Sequence, residues 1–275
     1  MPSVRKRKTP VTDHRVARHT SPSSKSTRAT IRQYHVLLKR RAYLLTKQSD
    51  AIAQQVLAEV DQKLEELGGL EAYQHMSVVG QDGTRGGGSE RVFIDWLKDL
   101  GIAARLAGQK LGLLEVGALK PDNYRTCSSW LDCTPIDLRS QHPSIREQDF
   151  LLLDENENHE YWDLISLSLV LNFVPKPNDR GRMLRLAHHV LKPGGYLFLV
   201  LPLPCVLNSR YLDLEHMKRI MRAVGFALQK ERWRKEGKMG YWLFQKDPAP
   251  RMSDEVLRRR FVLRQGNRNN FCILL

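Results

Sequence analysis

A single glycine follows a short apolar stretch at Leu113-Leu114-Glu115-Val116-Gly117, and Asp137 closes a second apolar stretch 20 residues later. A carboxylate at that spacing is placed to accept the protons of both ribose hydroxyls of a nucleoside. A dinucleotide fingerprint needs three glycines to seat a pyrophosphate. The lone Gly117 therefore argues against NAD and suits a cofactor without phosphate, such as S-adenosylmethionine. Taken alone, the loop is better explained as an ordinary turn. Asp137 could be a solvated surface residue, but its spacing and strand context favour the ribose.

Two further segments carry candidate ligand-binding side chains. Asp149 can accept the exocyclic amine of an adenine, with Phe150 lying against the ring, although an aspartate that caps a turn explains Asp149 equally well. Asn172-Phe173-Val174-Pro175 ends another apolar stretch, where amino-methylating enzymes place an Asn/Asp-Pro-Pro-aromatic loop. By analogy, Asn172 would accept a hydrogen bond from an adenine amine and Phe173 would stack on the ring. The loop departs from that pattern, and core packing is a strong competing role for Phe173.

These side chains need a framework of strands, and the apolar pattern predicts one. From Leu111 onward, short apolar runs alternate with helical stretches, which indicates a mostly parallel sheet covered on both faces. The segment KEGKMG joins the last two strands and predicts a hairpin with an antiparallel strand. We therefore expect an α/β protein with the class I methyltransferase Rossmann-like fold, ending in an antiparallel hairpin and preceded by a helical N-terminal extension.

The predicted organisation has five parts. They are a disordered basic tail (1–28), a helical N-terminal extension (29–80), a Gly-rich linker (81–89), an S-adenosylmethionine-binding Rossmann-like domain (90–247) and a basic C-terminal tail (248–275). The extension is predicted to contain a helix over 31–67. The Rossmann-like domain is predicted to begin with a helix around 90–106 and to contain a strand over 150–153.

The charge is concentrated at the two ends of the chain. The net charge is +14, and residues 1–50 hold 13 Lys and Arg against two acidic residues, while 248–275 hold six Arg against two. Cationic ends of this kind bind phosphate without reading sequence, so nucleic acid, an acidic membrane surface or a merely solubilising role would all fit. The cluster Arg5-Lys6-Arg7-Lys8 favours nucleic acid and a nuclear address. No apolar run approaches the length of a transmembrane segment. The four cysteines lack metal-ligand spacing, so we expect reduced thiols and no metal site.

The most distinctive segment is SLSLVLNFVP, followed closely by RGRML. Together with EVGAL, IDLRSQHP, QDF and the turn LKPGG, it resembles the fungal 25S rRNA adenine-N1 methyltransferases over about residues 31–246. Metazoan relatives of that family are S-adenosylmethionine sensors. The resemblance implies a Rossmann-like fold and S-adenosylmethionine as cofactor, with the family's cofactor positions falling on Gly117 and Asp137. It also implies large-subunit rRNA or a pre-ribosomal particle as partner, and the nucleus and nucleolus as location.

The sequence thus predicts methylation of adenine N1 in large-subunit rRNA. We expect Glu115, Gly117, Asp137, Asp149 and Phe150 to bind the cofactor, and Asn172 and Phe173 to position the adenine. One alternative is a sensor that binds the same cofactor without methyl transfer, and another is a methyltransferase acting on tRNA or protein. The oligomeric state is not predicted.

Other motifs allow more than one interpretation. Arg180 and Arg182 could contact RNA phosphate, or they could be solvated on a helix capped by Asp179. His188 and His189 are interpreted as structural. The last four residues, Cys272-Ile-Leu-Leu, fit a prenylation pattern, which we keep as a minority hypothesis.

Overall fold

The structure, a computed structural model, describes residues 24–45, 47, 51–69, 72, 88–102, 108–140, 142–247 and 255–275. The strands are β1 (Leu111–Val116), β2 (Leu131–Asp137), β3 (Arg146–Glu147), β4 (Trp162–Ser168), β5 (Leu191–Pro202), β6 (Phe226–Arg232) and β7 (Met239–Lys246). The α-helices are α1 (Ser24–Leu45), α2 (Ala51–Glu66), α3 (Ser89–Asp99), α4 (Pro177–Val190), α5 (Pro204–Leu207) and α6 (Leu214–Val224). Short 3-10 helices span Arg125–Cys127, Phe150–Leu152 and Glu255–Arg258.

The strands form one seven-stranded sheet in the order β3-β2-β1-β4-β5-β7-β6. Strands β1 to β5 pair in parallel, and β7 pairs antiparallel with both β5 and β6. The chain reverses its direction of travel across the sheet between β3 and β4, which makes the ends of β1 and β4 a topological switch point. Ligands of open α/β sheets bind at such a point. The predicted fold class, including the antiparallel C-terminal hairpin, is confirmed.

Helices cover both faces of the sheet because its inner strands are apolar on both sides. On one face Phe93 and Leu97 of α3 pack on Phe198, and the rings of Phe93 and Phe198 stack with centroids 4.6 Å apart. On the other face Leu184 of α4 and Ile220 of α6 are fully buried. Helix α6 has strong end signals, since the Asp213 side chain accepts from the His216 N–H at 2.7 Å and Gly225 follows its last turn at φ +104°.

The N-terminal helical region consists of two helices rather than the single helix predicted over 31–67. Helices α1 and α2 pack on each other through a small apolar cluster that includes Tyr34 and Val60, and Arg41 pairs with Asp61 at 2.6 Å. Helix α1 begins at Ser24, so the end of the predicted tail 1–28 is helical. Residues 1–23 of that tail and residues 81–87 of the predicted linker lie outside the described residues.

The predicted strand over 150–153 is wrong. Residues Phe150–Leu152 form a 3-10 helix, and the strand that completes this edge is the two-residue β3, Arg146–Glu147. A run of four apolar residues is too short for its periodicity to separate a strand from a helical turn. The first helix of the domain, predicted around 90–106, ends at Asp99, and residues 103–107 lie outside the described residues.

The C-terminal segment, residues 255–275, is not a free tail. Leu257, Phe271, Cys272 and Ile273 are each no more than 2% exposed, and all except Cys272 belong to the core on the α4 and α6 face of the sheet. The expectation of a basic tail failed for this part because four apolar side chains without helical or strand periodicity give no sequence pattern. Residues 248–254 lie outside the described residues. Within the described residues, the helices are all too short or too polar to cross a membrane.

Candidate functional site

The predicted cofactor residues meet at the carboxyl edge of the sheet. Gly117 follows β1, Asp137 ends β2, and Asp149 follows β3 by two residues. Backbone hydrogen bonds hold these ends together, because the Ile136 carbonyl accepts from Gly117 N–H at 2.8 Å and the Asp137 carbonyl accepts from Gln148 N–H at 2.9 Å. The sequence signals that lay 12 to 20 residues apart are therefore neighbours along one edge.

Gly117 has a conformation that only glycine adopts easily. Its φ is +75°, and a Cβ atom there would lie 2.7 Å from Cγ2 of Val170, which belongs to the turn after β4. The loop after β1 and the loop after β4 consequently touch through this glycine. Any larger residue would separate them or close the space between them.

Asp137 and Asp149 both use one carboxylate oxygen to shape their own turns. Oδ1 of Asp137 accepts from the Arg139 N–H at 2.9 Å, and Oδ1 of Asp149 accepts from the Leu151 N–H at 2.8 Å. Asp149 thus has the capping role that was the alternative to adenine binding. Both side chains are half-buried at the ends of neighbouring strands.

Phe150 does not fit the predicted contact with an adenine ring. Its side chain is 3% exposed and belongs to the core on the α4 face, next to Leu153. The apolar residue after Asp149 is turned inward because the 3-10 helix starts there and directs its first side chain to the sheet. The prediction is corrected: Phe150 packs in the core on the α4 face and so supports the turn that Asp149 begins.

Asn172 is the most informative polar residue of the site. It is 6% exposed, and within the described residues its Oδ1 has no hydrogen-bond partner. A buried acceptor without a partner costs roughly 1–3 kcal/mol, so this oxygen is suited to a donor that arrives with a ligand. The predicted donor, the exocyclic amine of an adenine, has the required chemistry.

The turn that carries Asn172 is strained at its start. Leu169, directly after β4, has φ +60°, a left-handed conformation that costs a non-glycine residue about 1–2 kcal/mol. The Phe173 N–H closes the turn on the Val170 carbonyl at 2.9 Å. Phe173 is half-buried and, within the described chain, is not part of the clusters that form the two sheet cores.

Glu115 lies inside the sheet, 8% exposed, one strand residue before the end of β1. Oε1 accepts from Asn123 Nδ2 at 2.7 Å, and Oε2 accepts from the Cys133 thiol at 3.7 Å. Burial raises the pKa of Glu115 to about 7, against the two hydrogen bonds, which lower it. Glu115 ties the loop after Gly117 back to β1 through Asn123, a residue that the sequence did not single out.

Arg180 is a buried cation rather than a phosphate ligand. It is 2% exposed, and its guanidinium donates to the carbonyls of Val174 at 2.8 Å, Pro175 at 3.1 Å and Cys272 at 2.5 Å. The guanidinium also lies 4.3 Å from the centroid of the Phe271 ring. Burial lowers its pKa to about 10, so it stays charged at neutral pH. Arg180 therefore joins the loop of Asn172 to the C-terminal segment.

Two further residues of the RGRML motif also connect α4 to neighbouring segments. Gly181 leaves room for the C-terminal segment, because a Cβ atom there would lie 1.8 Å from the Leu274 carbonyl oxygen. Arg182 is exposed and donates to the Leu151 carbonyl. Asp179 does not cap α4, since the cap is Lys176 with Pro177 in the first turn.

The remaining motifs fit structural roles. His188 is buried with its ring 5.2 Å from that of Phe226, and the His189 ring lies 4.6 Å from that of His159. Cys272 is 1% exposed, and the prenylation hypothesis stays a prediction. Groups of three or more potential metal ligands do not occur among the described residues.

Comparison with known proteins gives a family match over most of the chain. The profile of the family described as "25S rRNA (adenine(2142)-N(1))-methyltransferase, Bmt2" matches residues 58–273. A curated Schizosaccharomyces pombe protein, the 25S rRNA adenine-N(1) methyltransferase, is 35% identical over 255 residues, covering 89% of this chain and 90% of that one. The Saccharomyces cerevisiae 25S rRNA (adenine(2142)-N(1))-methyltransferase is 32% identical over 249 residues, covering 88% of this chain and 70% of that one.

Solved structures with a similar fold are more distant in sequence. The CurJ carbon methyltransferase is 14% identical at a TM-score of 0.48, with 82% of this chain and 72% of that chain covered. The Burkholderia thailandensis 1,6-didemethyltoxoflavin-N1-methyltransferase, solved with S-adenosylhomocysteine, is 14% identical at a TM-score of 0.43, with coverage of 63% and 87%.

Proposed function

The chain belongs to the Bmt2 family of 25S rRNA (adenine-N1) methyltransferases, and from this premise we propose that it transfers a methyl group from S-adenosylmethionine to N1 of an adenine in large-subunit rRNA. The observation that carries the proposal is the buried, unpartnered Oδ1 of Asn172, within the described residues, at the carboxyl edge of the sheet. An adenine amine that donates to this oxygen would bring the neighbouring N1 to the same edge as Gly117.

The residues present suit an adenosine-containing cofactor without phosphate. When bound, S-adenosylmethionine supplies an electrophilic methyl group on a positively charged sulfur. We assign the ribose of the cofactor to Asp137. We assign Gly117 to the position where the protein backbone approaches the cofactor closely. Asp149, whose other carboxylate oxygen lies outside the cap, is assigned to the adenine amine of the cofactor. Glu115 supports this site through Asn123 rather than by reaching the edge itself.

The chemistry on the substrate side needs orientation more than acid or base groups. N1 of a neutral adenine carries a lone pair and no proton, so no general base is required. Orienting two reactants can lower a barrier by about 7–11 kcal/mol. We assign Asn172 to hold the amine and Phe173 to stack on the ring. Together these two contacts would orient the N1 lone pair toward the methyl group. Because N1 is hidden in a base-paired helix, the target adenine must be unpaired or flipped out.

The partner and the location follow from this substrate. We propose that the enzyme acts on large-subunit rRNA or on a pre-ribosomal particle in the nucleolus, where such RNA is assembled. The basic cluster Arg5-Lys6-Arg7-Lys8, which lies outside the described residues, supports entry into the nucleus and contact with phosphate.

The proposed function is tested by product identification. The full chain is incubated with methyl-labelled S-adenosylmethionine and large-subunit rRNA that lacks base methylation, and the RNA is digested to nucleosides. We expect label in 1-methyladenosine. Gly117→Arg is the control variant. The arginine side chain would fill the space beside Val170, and a non-glycine residue would be strained at the positive φ of this position. This variant should neither bind the cofactor nor transfer label.

Label in another nucleoside would contradict the assignment of adenine N1. Cofactor binding by the unmodified chain without transfer, both to free rRNA and to pre-ribosomal particles, would favour the sensor alternative. The assay thus separates the enzyme from a cofactor-binding regulator that has the same fold.

A further inference from the structure

Three consecutive arginines on the C-terminal segment have no role in the site described so far. Arg258, Arg259 and Arg260 are exposed, and they are followed by Phe261, Val262 and Leu263, which are 44%, 52% and 40% exposed. Within the described part of the chain, none of the three arginines forms an ion pair with a carboxylate. Six adjacent exposed residues thus combine unneutralised positive charge with apolar surface.

The backbone beneath this stretch is held firmly in place. Arg264 donates to the carbonyls of Val206 at 2.5 Å, Leu207 at 2.7 Å and Ser209 at 3.0 Å, all in the connection between β5 and α6. The Leu263 N–H donates to the Arg210 carbonyl at 2.9 Å. A basic stretch anchored in this way presents its charges in a fixed place, unlike a free tail.

The stretch lies beside the proposed substrate loop. Arg180 bonds the Cys272 carbonyl of the C-terminal segment and the Val174 and Pro175 carbonyls directly after Phe173. The Leu275 N–H donates to the Leu257 carbonyl at 3.0 Å and the Leu274 N–H donates to the Pro177 carbonyl at 3.1 Å, so the backbone directly before Arg258 lies next to the start of α4. The Arg260 guanidinium lies 5.9 Å from the ring centroid of Tyr211, in the same connection after β5. The arginines therefore lie between the start of α4, which follows the substrate loop, and the connection after β5.

We propose that Arg258, Arg259 and Arg260 form a phosphate-binding surface for the single-stranded RNA that flanks the target adenine. The inference rests on the proposed function and specifies where the RNA strand lies. Guanidinium groups bind phosphate oxygens in a bidentate manner, and exposed aromatic and apolar side chains such as Phe261 stack on unpaired bases. An acidic membrane or an acidic protein would meet the charges but would leave the position next to the substrate loop unexplained.

The test compares two double variants with equal loss of charge. Arg258→Gln with Arg259→Gln removes two charges from the surface, while Arg260 is kept because of its position over Tyr211. The matched control is Arg185→Gln with Arg222→Gln, two exposed arginines on the outer sides of α4 and α6. For each protein, affinity for a single-stranded 25S rRNA fragment is measured against salt concentration, and affinity for S-adenosylhomocysteine is measured by calorimetry.

The surface variant should lose about 1.4 from the slope of log affinity against log salt, since each phosphate contact on a single strand contributes about 0.7. The control variant should keep the slope of the unmodified chain, and cofactor affinity should stay within twofold in both. A slope that is unchanged, or reduced equally in both variants, would overturn the inference. Binding of each protein to anionic vesicles is measured in parallel, and loss of vesicle binding by the surface variant with an unchanged RNA slope would also overturn the inference. Because methyl transfer to rRNA is scored separately, any of these results can occur while the proposed function stands.

Discussion

Glu115 shows how one buried carboxyl group makes the stability of the domain depend on pH. Its pKa is raised from 4.5 to about 7 by burial. Between these values the folded protein holds a proton that the unfolded chain has released, so the free energy of unfolding falls as the pH rises through that window. The decrease attributable to this group is about 3 kcal/mol.

We predict that Glu115→Gln removes this decrease while keeping the oxygen that accepts from Asn123. Urea unfolding of the unliganded protein at pH 5 and pH 8 measures it. The difference in the free energy of unfolding between pH 5 and pH 8 should shrink by about 2.5 kcal/mol relative to the unmodified chain, because about 0.8 kcal/mol of the decrease has already occurred at pH 5. Glu157→Gln, in an exposed loop, is the control and should leave the difference unchanged. Parallel pH profiles for Glu115→Gln and the unmodified chain would show that Glu115 titrates normally.

At the residue scale the sequence predicted the positions that depend on local spacing. Gly117 follows β1 and Asp137 ends β2, and both could be placed at one edge from the alternation of strands and helices alone. The partners of Glu115 and Arg180 could not be predicted, since the Cys272 carbonyl is 92 residues from Arg180 in sequence. Phe150 was misplaced because the inward or outward direction of a side chain changes when a strand becomes a 3-10 helix.

At the element scale, α4 and the C-terminal segment form a joint that fixes the substrate loop. Gly181 lies at the contact, and Arg180 bonds both sides of it. The segment was predicted as a tail since its sequence is rich in arginine and its buried residues, Leu257 and Phe271 to Ile273, follow no period. Its order depends on carbonyls of another loop, which no local pattern encodes.

We predict that Gly181→Ala destabilises the protein by roughly 1–3 kcal/mol, the usual cost of overpacking. The sign of the change in stability is informative, because replacing glycine by alanine in a helix interior otherwise stabilises a protein by about 0.5–1 kcal/mol. Thermal unfolding and limited trypsin digestion measure the effect, with faster cleavage after Arg258 and Arg259 expected. Arg185→Ala on the exposed side of α4 is the control. A raised melting temperature with unchanged cleavage would show that the segment does not rest on Gly181.

At the scale of the whole molecule, positive charge is divided between an anchored surface and the N-terminal stretch. Residues 1–23 carry six Lys and Arg and one acidic residue. Since α1 begins at Ser24, a deletion that ends at residue 23 removes this charge without cutting the helix.

We predict that deleting residues 1–23 leaves cofactor affinity intact and lowers the slope of log RNA affinity against log salt by up to about 4, at about 0.7 for each phosphate that the chain no longer neutralises. Filter binding over a range of salt concentrations measures the slope. A chain in which the six basic residues are replaced by Gln, with the length kept, is the control and should match the deletion. An unaltered slope in both proteins would exclude these residues from RNA binding.

The central claim, that Asn172 holds the amine of the target adenine, is tested most directly by removing either partner of the hydrogen bond. Methylation rates of the unmodified chain and Asn172→Ala are measured on an rRNA fragment with adenosine at the position that the enzyme methylates, and on the same fragment with purine riboside there, which lacks the amine and keeps N1. We predict that the rate falls about tenfold from either change alone and little further from both together. If Asn172→Ala lowers the rate equally on both RNAs, Asn172 does not hold the amine, and the assignment of the adenine to this turn is contradicted.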